Sequence, residues 1–286
     1  TALETAGRIV ATLRETMVIE GHALAIGCSI GVCAFENAGD GETLMQRADI
    51  ALYEAKRLGR NQVFRYVPGM LEVAAERSRF EADLRMALFN GEFKLVYQPI
   101  VDLASRRVVG YEALIRWHHP ERGLVSPANF IPMAEETGVI VPIGRWVLEE
   151  ACRQAVRWPD GIHVAVNVSS VQFRSAVFLA HVTQALATSG LPARRLEVEL
   201  TETAMVEDAE RVAHVLRSLQ VLGVKVAMDD FGTGYSSLAH LRDLPLDRIK
   251  IDRSFVASAQ TDRNSAAVLR AIMQLGRDMG IETLAE

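Results

Sequence analysis

The sequence predicts an α/β fold that forms a (β/α)8 barrel, and three observations support this prediction. Apolar runs of strand length alternate with amphipathic helical patterns, some of which end at a glycine such as Gly223 or Gly280. Such alternation is typical of βαβ units in a parallel sheet. Each apolar run ends in polar residues. The alternation of strands and helices repeats over about 220 residues, which suits a barrel better than a short open sheet. The predicted strands occupy residues 93–103, 107–117, 163–169, 196–202, 224–230, 247–252 and 281–286.

A proline–glycine break at residues 68–69 separates this barrel from a smaller N-terminal segment. Before the break, residues 23–35 predict a strand with its turn, and residues 42–61 predict an amphipathic helix. A segment of this size buries too little apolar surface to form a stable hydrophobic core of its own. We therefore predict two domains: residues 1–66 as a small α+β part of something larger, and residues 67–286 as the barrel.

The composition argues against several classes of protein. The net charge is −5 at pH 7, so no basic surface for a nucleic acid polymer is indicated, although local cations can still bind a small anionic ligand. The three cysteines include no C-x-x-C pair, which argues against a zinc knuckle or a disulfide framework and favours a reducing, cytoplasmic setting. The sequence contains no apolar run of about 18 residues, the length of a membrane-spanning helix.

Polar side chains able to bind a metal or a phosphate lie where the predicted strands end. The carboxyl ends of parallel strands in a barrel share one face, so residues far apart in the sequence converge there. Alternate residues of a strand also share a face, which places small Ala165 beside Asn167 and small Ala227 beside Asp229. The residues at or near these ends are Glu112, Asn167, Glu199, Glu202, Asp229, Asp230, Lys250 and Glu286.

Five of these side chains form an all-oxygen donor set. Carboxylate and amide oxygens, without cysteine or a matching histidine, select Mg²⁺ or Mn²⁺ over zinc or copper. Several carboxylates together suit two metal ions, which also supply the counter-charge that adjacent acids need. Lys250 and Arg116 add fixed positive charge for a phosphate. The candidate ligands are Glu112, Asn167, Glu199, Asp229 and Asp230.

Each candidate also has an ordinary structural explanation when it is taken alone. Asp229 and Asp230 are equally compatible with the start of a tight turn that continues through the following glycines. Glu202 could instead favour the N-terminus of the next helix, and Lys250 could form a surface ion pair. The functional interpretation depends on the joint pattern, because independent accidents should not all fall at strand ends. Ordinary surface or turn positions are likewise open for Glu112, Asn167 and Arg116.

Seven short motifs follow one another along residues 70–286: "YQPI" (97–100), "YEALIRW" (111–117), "VNVS" (166–169), "ELTE" (199–202), "DDFGTGYSSL" (229–238), "IKID" (249–252) and "LAE" (284–286). Together they resemble the EAL domain family. The resemblance implies a modified TIM barrel with one antiparallel strand that hydrolyses cyclic di-GMP to linear pGpG in bacterial second-messenger signalling, with Mg²⁺ or Mn²⁺. The alternative is a catalytically weak or inactive receptor or regulatory module that binds cyclic di-GMP.

The resemblance also implies roles for individual residues. The five oxygen donors would bind the metal ions, with Asp230 on the second ion. Lys250 and Glu286 would orient and polarise the attacking water. Gln98 and Arg116 would contact the substrate.

A loop over residues 230–237 completes the implied site. Glu202 would anchor this loop, which in enzymes of this kind shapes the metal site and takes part in coupling across a homodimer. The chain stops in the seventh strand, so we expect it to be part of a longer protein. The last β/α unit of the barrel and any membrane tether would then lie in regions beyond this sequence.

The N-terminal segment resembles the last part of a GGDEF (diguanylate cyclase) domain. The matching motifs are "SIGVCAF" (29–35) and "ADIALYEAKRLGRN" (48–61). Lys56 and Arg60 would correspond to nucleotide-phosphate contacts. The Gly-Gly-Asp-Glu-Phe signature itself is absent from the sequence, so we expect no cyclase activity from this piece, and we expect upstream sensory or GGDEF segments in the longer protein.

Overall fold

The computed structural model describes residues 1–35, 40–202, 204, 209–232 and 244–285. The chain divides into two compact units, Thr1–Asp83 and Leu84–Glu286. The division lies inside helix α3 (Met70–Ala87), later in the chain than the predicted boundary after residue 66. The division at residue 66 stays a prediction.

The first unit combines helices with two small sheets. Strands β1 (Met17–Ile19) and β2 (His22–Leu24) form an antiparallel hairpin, whereas β3 (Ile30–Val32) and β4 (Val63–Arg65) pair in parallel. Its helices are α1 (Ala2–Arg14), α2 (Gly41–Arg57) and the part of α3 that precedes Leu84, and α2 crosses from β3 to β4. A Cβ atom at Gly31 would collide with the α2 backbone at Ala48 and Leu52, so this glycine lets helix and strand pack closely.

The second unit is built on a curled seven-stranded sheet. Its strand order is β5-β6-β8-β9-β10-β11-β12, and the short strand β7 (Gly123–Val125) pairs at the side with β6. Strand β5 runs antiparallel to β6, and the strands from β6 to β12 run in parallel. The predicted fold class, a barrel-like α/β fold with one antiparallel strand, is confirmed. The seven strands are β5 (Phe93–Asp102), β6 (Arg107–His119), β8 (His163–Asn167), β9 (Leu196–Thr201), β10 (Lys225–Phe231), β11 (Arg248–Ile251) and β12 (Glu282–Ala285).

In the described parts of the second unit, helices follow most of the parallel strands, and local signals set where these helices begin and end. Asp262 accepts hydrogen bonds from the backbone amides of Asn264 and Ser265 at 3.2 and 2.7 Å and so caps the last helix. Gly190 and Gly280 take left-handed φ values of 73° and 70° where two helices end. The helices are α4 (Pro127–Glu136), α5 (Ile140–Ala155), α6 (Ser170–Phe173), α7 (Phe178–Ser189), α8 (Ala209–Leu222), α9 (Arg253–Ser258) and α10 (Arg263–Met279).

The central strands of this sheet are buried on both faces. Val164, Ala165 and Val166 alternate along β8 and are at most 1% exposed. Helix α5 packs against β8 and against α7. The run of apolar residues that predicted this strand thus reflects burial on both sides, as parallel sheets require.

A buried arginine connects the segments that precede β8 and β9. Arg195, at the end of a 3-10 turn (Ala193–Arg195), is 6% exposed. Its Nε donates to the carbonyl of Ile162 at 2.8 Å, and its terminal nitrogen donates to the carbonyl of Ala155 at 2.7 Å. The arginine therefore satisfies backbone carbonyls at the end of α5 and at the entrance to β8.

No helix in the described parts of the chain is long and apolar enough to span a membrane.

We predict that Arg195→Met destabilises the protein by about 3 kcal/mol, because it removes the hydrogen bonds that a buried charged group donates to the carbonyls of Ile162 and Ala155. Urea unfolding of the wild type and the variant measures the difference. A loss below about 0.5 kcal/mol, the usual effect of a surface substitution, would contradict this role.

Candidate active site

The strand register brings the predicted ligands to one end of the sheet. In the parallel ladder, Asn167 of β8 is the partner of Glu199 of β9, and Thr201 of β9 is the partner of Asp229 of β10. Glu112 of β6 is the partner of Ala165, two residues before Asn167. Four strands therefore carry these side chains side by side, in the middle of β6 and at or near the carboxyl ends of β8, β9 and β10.

Lys250 lies at the centre of this group. Its Nζ is 2.8 Å from Glu199 Oε2, 3.2 Å from Asp229 Oδ1 and 3.5 Å from Glu112 Oε2. Asn167 Nδ2 donates to the other oxygen of Glu112 at 2.6 Å. The sequence alternative of a surface ion pair for Lys250 is wrong, because this side chain is only 1% exposed.

Burial and charge act in opposite directions on this cluster. Burial alone would lower the pKa of Lys250, but Glu199, Asp229 and Glu112 outweigh it and raise that pKa above its ordinary value. Burial raises the pKa of Glu199 to about 8, and Lys250 opposes this rise. Lys250 therefore stays an ammonium, which donates hydrogen bonds and neutralises anionic charge but cannot accept a proton.

Like Glu197, Glu199 has one buried carboxylate oxygen without a hydrogen-bond partner in the described part of the chain. Its Oε1 is buried and makes no hydrogen bond within the described structure, although a buried carboxylate oxygen normally has a partner. The surrounding donors are carboxylate and amide oxygens, which suit Mg²⁺ or Mn²⁺. Among the described residues, no group of three His, Cys, Asp or Glu side chains is arranged to hold a metal ion, and the Lys250 ammonium lies between the carboxylates.

A bulge in β10 explains how the side chains of two adjacent acids can both lie at the same end of the sheet. Simple alternation would point Asp229 and Asp230 to opposite faces. The pairing of β10 with β11 shifts between Met228 and Phe231, and Asp230 takes a left-handed φ of 55°. Burial raises the pKa of Asp230, and Asp229 raises it further. The two adjacent carboxylates are therefore close enough for the charge of one to raise the pKa of the other.

Glu202 lies where the predicted loop begins. It is 4% exposed, and its Oε2 accepts a hydrogen bond from the Gly232 amide at 3.4 Å. Residues 233–237 of the loop lie outside the described residues, and so does Glu286. The anchoring role of Glu202 stays a prediction.

The two predicted substrate contacts lie beside the ligand group. Gln98 of β5 is exposed and is the antiparallel partner of Glu112. Arg116 lies four residues beyond Glu112, on the same face of β6. It donates to the carbonyl of Ile115 at 2.8 Å. It borders a cavity of about 410 Å³ that Asn167 and Glu199 also line. Anionic and apolar parts of a ligand could thus be held next to the carboxylates.

Lys56 and Arg60 belong to the first unit. Both side chains are exposed, and Arg60 takes a φ of 56° after α2. Their role as nucleotide contacts stays a prediction.

A second polar layer lies inside the barrel, and the sequence analysis did not identify it. Arg248 donates to Glu197 Oε1 and to Glu282 Oε2, each at 2.7 Å, and is 3.1 Å from His163 Nε2. Glu197 and Arg248 are two residues before Glu199 and Lys250, on the same faces of their strands. The alternation that placed Asn167 and Asp229 could have revealed these residues as well. We call Arg248, Glu197, Glu282 and His163 the barrel-floor cluster.

The barrel-floor cluster specifies the protonation of His163. A guanidinium group has donors only, so His163 Nε2 must accept from Arg248 and the ring is neutral. Burial lowers the pKa of His163 from its ordinary value near 6.5 to about 4, and Arg248 lowers it further. Gly110 leaves space for the ring, because a Cβ atom there would collide with it.

The fold and site define an α/β barrel with a group of carboxylates around a buried lysine at one end of its parallel strands. Residues 81–286 match the family described as "EAL domain", so the chain belongs to the EAL domain family. Residues 1–62 match the family described as "Diguanylate cyclase, GGDEF domain". The resemblance to both families that the motifs indicated is confirmed.

Several known proteins are similar to this chain. An uncharacterized signaling protein of Caulobacter vibrioides is 42% identical over 286 residues, which is 100% of this chain and 35% of that protein. The bifunctional diguanylate cyclase/cyclic di-GMP phosphodiesterase MucR of Pseudomonas aeruginosa is 41% identical over 292 residues, covering 100% of this chain and 42% of its own length. The chain thus spans less than half of these relatives.

A solved structure is similar as well. The MucR phosphodiesterase in complex with c-di-GMP matches with a TM-score of 0.70 and 42% identity, over 72% of this chain and 85% of that one.

We predict that Lys250→Met, in metal-free buffer, lowers the free energy of unfolding by about 3–5 kcal/mol, because it leaves buried carboxylates without their counter-charge. Mn²⁺ should recover a large part of this loss, since a divalent cation supplies the missing positive charge. Chemical denaturation with EDTA and with Mn²⁺ gives both values. Lys225→Met, on a half-buried lysine of β10, is the control and should show no such recovery. An equal loss with and without Mn²⁺ would count against the cation site.

We also predict a pH-dependent effect of His163→Gln. The folded pKa of His163 lies below its unfolded value, so the unfolded state binds the proton first and the wild type loses stability as the pH falls from about 6.5 to 4. The variant lacks this proton, so its stability relative to the wild type should rise over that range by up to ~3 kcal/mol. Urea unfolding at several pH values measures the difference. A difference that does not change with pH would disprove the neutral, buried imidazole.

Proposed function

We propose that the barrel hydrolyses cyclic di-GMP to linear pGpG with the help of two Mg²⁺ or Mn²⁺ ions. The observation that carries this proposal is the buried Lys250 ammonium surrounded by three carboxylates, next to a cavity bordered by Arg116. The MucR phosphodiesterase, which is similar to this chain, has a structure in complex with c-di-GMP. That similarity supports cyclic di-GMP as the substrate.

The metal ligands in this proposal are the side chains at the strand ends. Glu112, Asn167, Glu199 and Asp229 would hold one ion, and Asp230 would contribute to the second. The buried, unpartnered Oε1 of Glu199 supports this arrangement. Bound divalent ions supply Lewis acidity, which makes water a better nucleophile and neutralises phosphate charge.

The side chains of this chain orient the reaction. Arg116 and Gln98 bind the substrate, and the planar guanidinium suits a phosphate. Lys250 donates hydrogen bonds from Nζ toward the attacking water and the phosphate, and Glu286 orients the water with it. The water oxygen bonds to phosphorus while the bond from phosphorus to the 3′ oxygen breaks. The attacking water supplies the proton that the 3′ oxygen takes up, which leaves a 3′-hydroxyl, and the water oxygen stays on phosphorus in the 5′-phosphate.

Further parts of the proposal concern the longer protein. Glu202 anchors the loop of residues 230–237, and the barrel forms a homodimer in which this loop takes part in coupling. The hydrogen bond from Gly232 to Glu202 supports the anchor. Residues 1–66 end a GGDEF domain whose nucleotide contacts include Lys56 and Arg60, and the protein acts in the cytoplasm.

Glu112→Gln tests the proposal in the intact protein. The neutral amide keeps the shape of the side chain but removes a charge from the metal site, so we expect turnover to fall by ~100-fold or more, which exceeds the usual ~10–100-fold effect of removing a residue that only orients a metal ligand. The assay separates pGpG from cyclic di-GMP chromatographically, with Mn²⁺, with Mg²⁺ and with EDTA. Glu121→Gln, at an exposed acid of the same hairpin, is the matched control and should match the wild type.

Two outcomes would contradict the proposal that the barrel is an enzyme. One is turnover by the wild type that is no faster than turnover by Glu112→Gln. The other is tight binding of cyclic di-GMP in Mn²⁺ without product, which would make the barrel a receptor.

A further inference from the structure

Arg248 connects strands that are not neighbours in the sheet. It belongs to β11 and is 6% exposed. Its guanidinium contacts Glu197 of β9 at 2.7 Å, with β10 between the two strands, and His163 of β8 at 3.1 Å. A third contact, to Glu282 of β12 at 2.7 Å, reaches the neighbouring strand on the other side. One side chain thus crosses the interior of the barrel and joins four strands.

The barrel-floor cluster lies directly below the candidate active site. Two residues along β9 lead from Glu197 to Glu199, and two residues along β11 lead from Arg248 to Lys250. A strand rises about 3.3 Å per residue, so each pair is separated by about 7 Å along its strand. The salt bridges Arg248–Glu197 and Lys250–Glu199 are therefore two successive links between the same pair of strands.

We propose that Arg248 is a positioning residue for the hydrolytic site. By holding β11 against β9 through Glu197, it sets the 2.8 Å separation of Lys250 Nζ from Glu199 Oε2. Glu199 then presents its free Oε1 to the cation in a constant direction. This inference rests on the proposed function, because it assigns Arg248 to the same metal site.

The chemistry of the cluster calls for an arginine. Its planar guanidinium has five donors in a fixed arrangement and reaches three acceptors on three strands, whereas an ammonium is a single point charge. Glu197 is completely buried and accepts through one oxygen from Arg248. An apolar pair of similar volume could fill the same space, but it would not fix the direction of the two strands.

The test is Arg248→Met in the intact protein, with two separate readouts. We expect kcat for cyclic di-GMP to fall about 10–100-fold, the usual effect of removing a group that orients metal ligands. KM should change less than about 3-fold, because Arg116 and Gln98 are untouched and the loss is confined to the reacting end. The dissociation constant for Mn²⁺, measured by electron paramagnetic resonance without substrate, should rise about 10-fold.

Two comparison variants separate positioning from stability. Arg195→Met removes another arginine that is 6% exposed, but one bound to backbone carbonyls outside the site. It should lower the melting temperature and leave kcat and Mn²⁺ affinity unchanged. The double variant Arg248→Met/Glu197→Met replaces a buried ion pair by an apolar pair, which proteins often tolerate without loss of stability. It should melt near the wild-type temperature and still show the reduced kcat and Mn²⁺ affinity.

Arg248 is not a positioning residue if Arg248→Met keeps the wild-type kcat and Mn²⁺ affinity per folded molecule. The positioning role is also contradicted if the double variant regains the wild-type kcat and Mn²⁺ affinity together with its stability. It is contradicted as well if Arg195→Met loses kcat and Mn²⁺ affinity. Failure of the proposed function looks different, since the wild type itself would then release no pGpG. The Mn²⁺ measurements compare the variants in either case.

Discussion

The buried ammonium of Lys250 is the constraint on which the carboxyl end of the barrel depends. A cation that is 1% exposed requires compensation, and here it comes from carboxylates on β6, β9 and β10. These strands must therefore curl around β11 until three acids lie within 3.5 Å of one nitrogen. The same curvature brings together oxygen atoms that a divalent cation can use, so the electrostatics of folding and of the proposed site share one set of residues.

The inside of the barrel is polar in two layers, while its outside is apolar. On β9, Glu197 and Glu199 face inward, and the alternating residues Leu196, Val198 and Leu200 are completely buried on the other face. Helices cover that outer face, so all of the interior charge must be balanced from within. Arg248 pairs with Glu197 in the lower layer, and Lys250 pairs with Glu199 in the upper one, where Asp229 and Glu112 add further negative charge. This pairing keeps four buried charges on two strands compatible with a folded protein.

Much of the fold and part of the site could be predicted from the sequence. The strands of the main sheet follow from apolar runs with terminal polar residues, and β6 extends two residues beyond its predicted end at residue 117 because it continues into a hairpin with β7. The prediction that Glu112, Asn167, Glu199 and Asp229 gather at one end used only the parallel direction of the strands. The structure does bring these four residues into one group. The ligand roles themselves remain proposals.

By itself, the sequence determined the strands, the helices between them and the side chains that share a strand face, because these depend on local periodicity. Only the tertiary structure decided which charges meet. The partners of Arg248 lie on β8, β9 and β12, and their contacts depend on the curvature of the whole sheet. The direction of Asp230 depends on a bulge, which changes the alternation at one position. The contacts of Arg248 join residues 34 to 85 positions apart, so no local pattern in the chain encodes them.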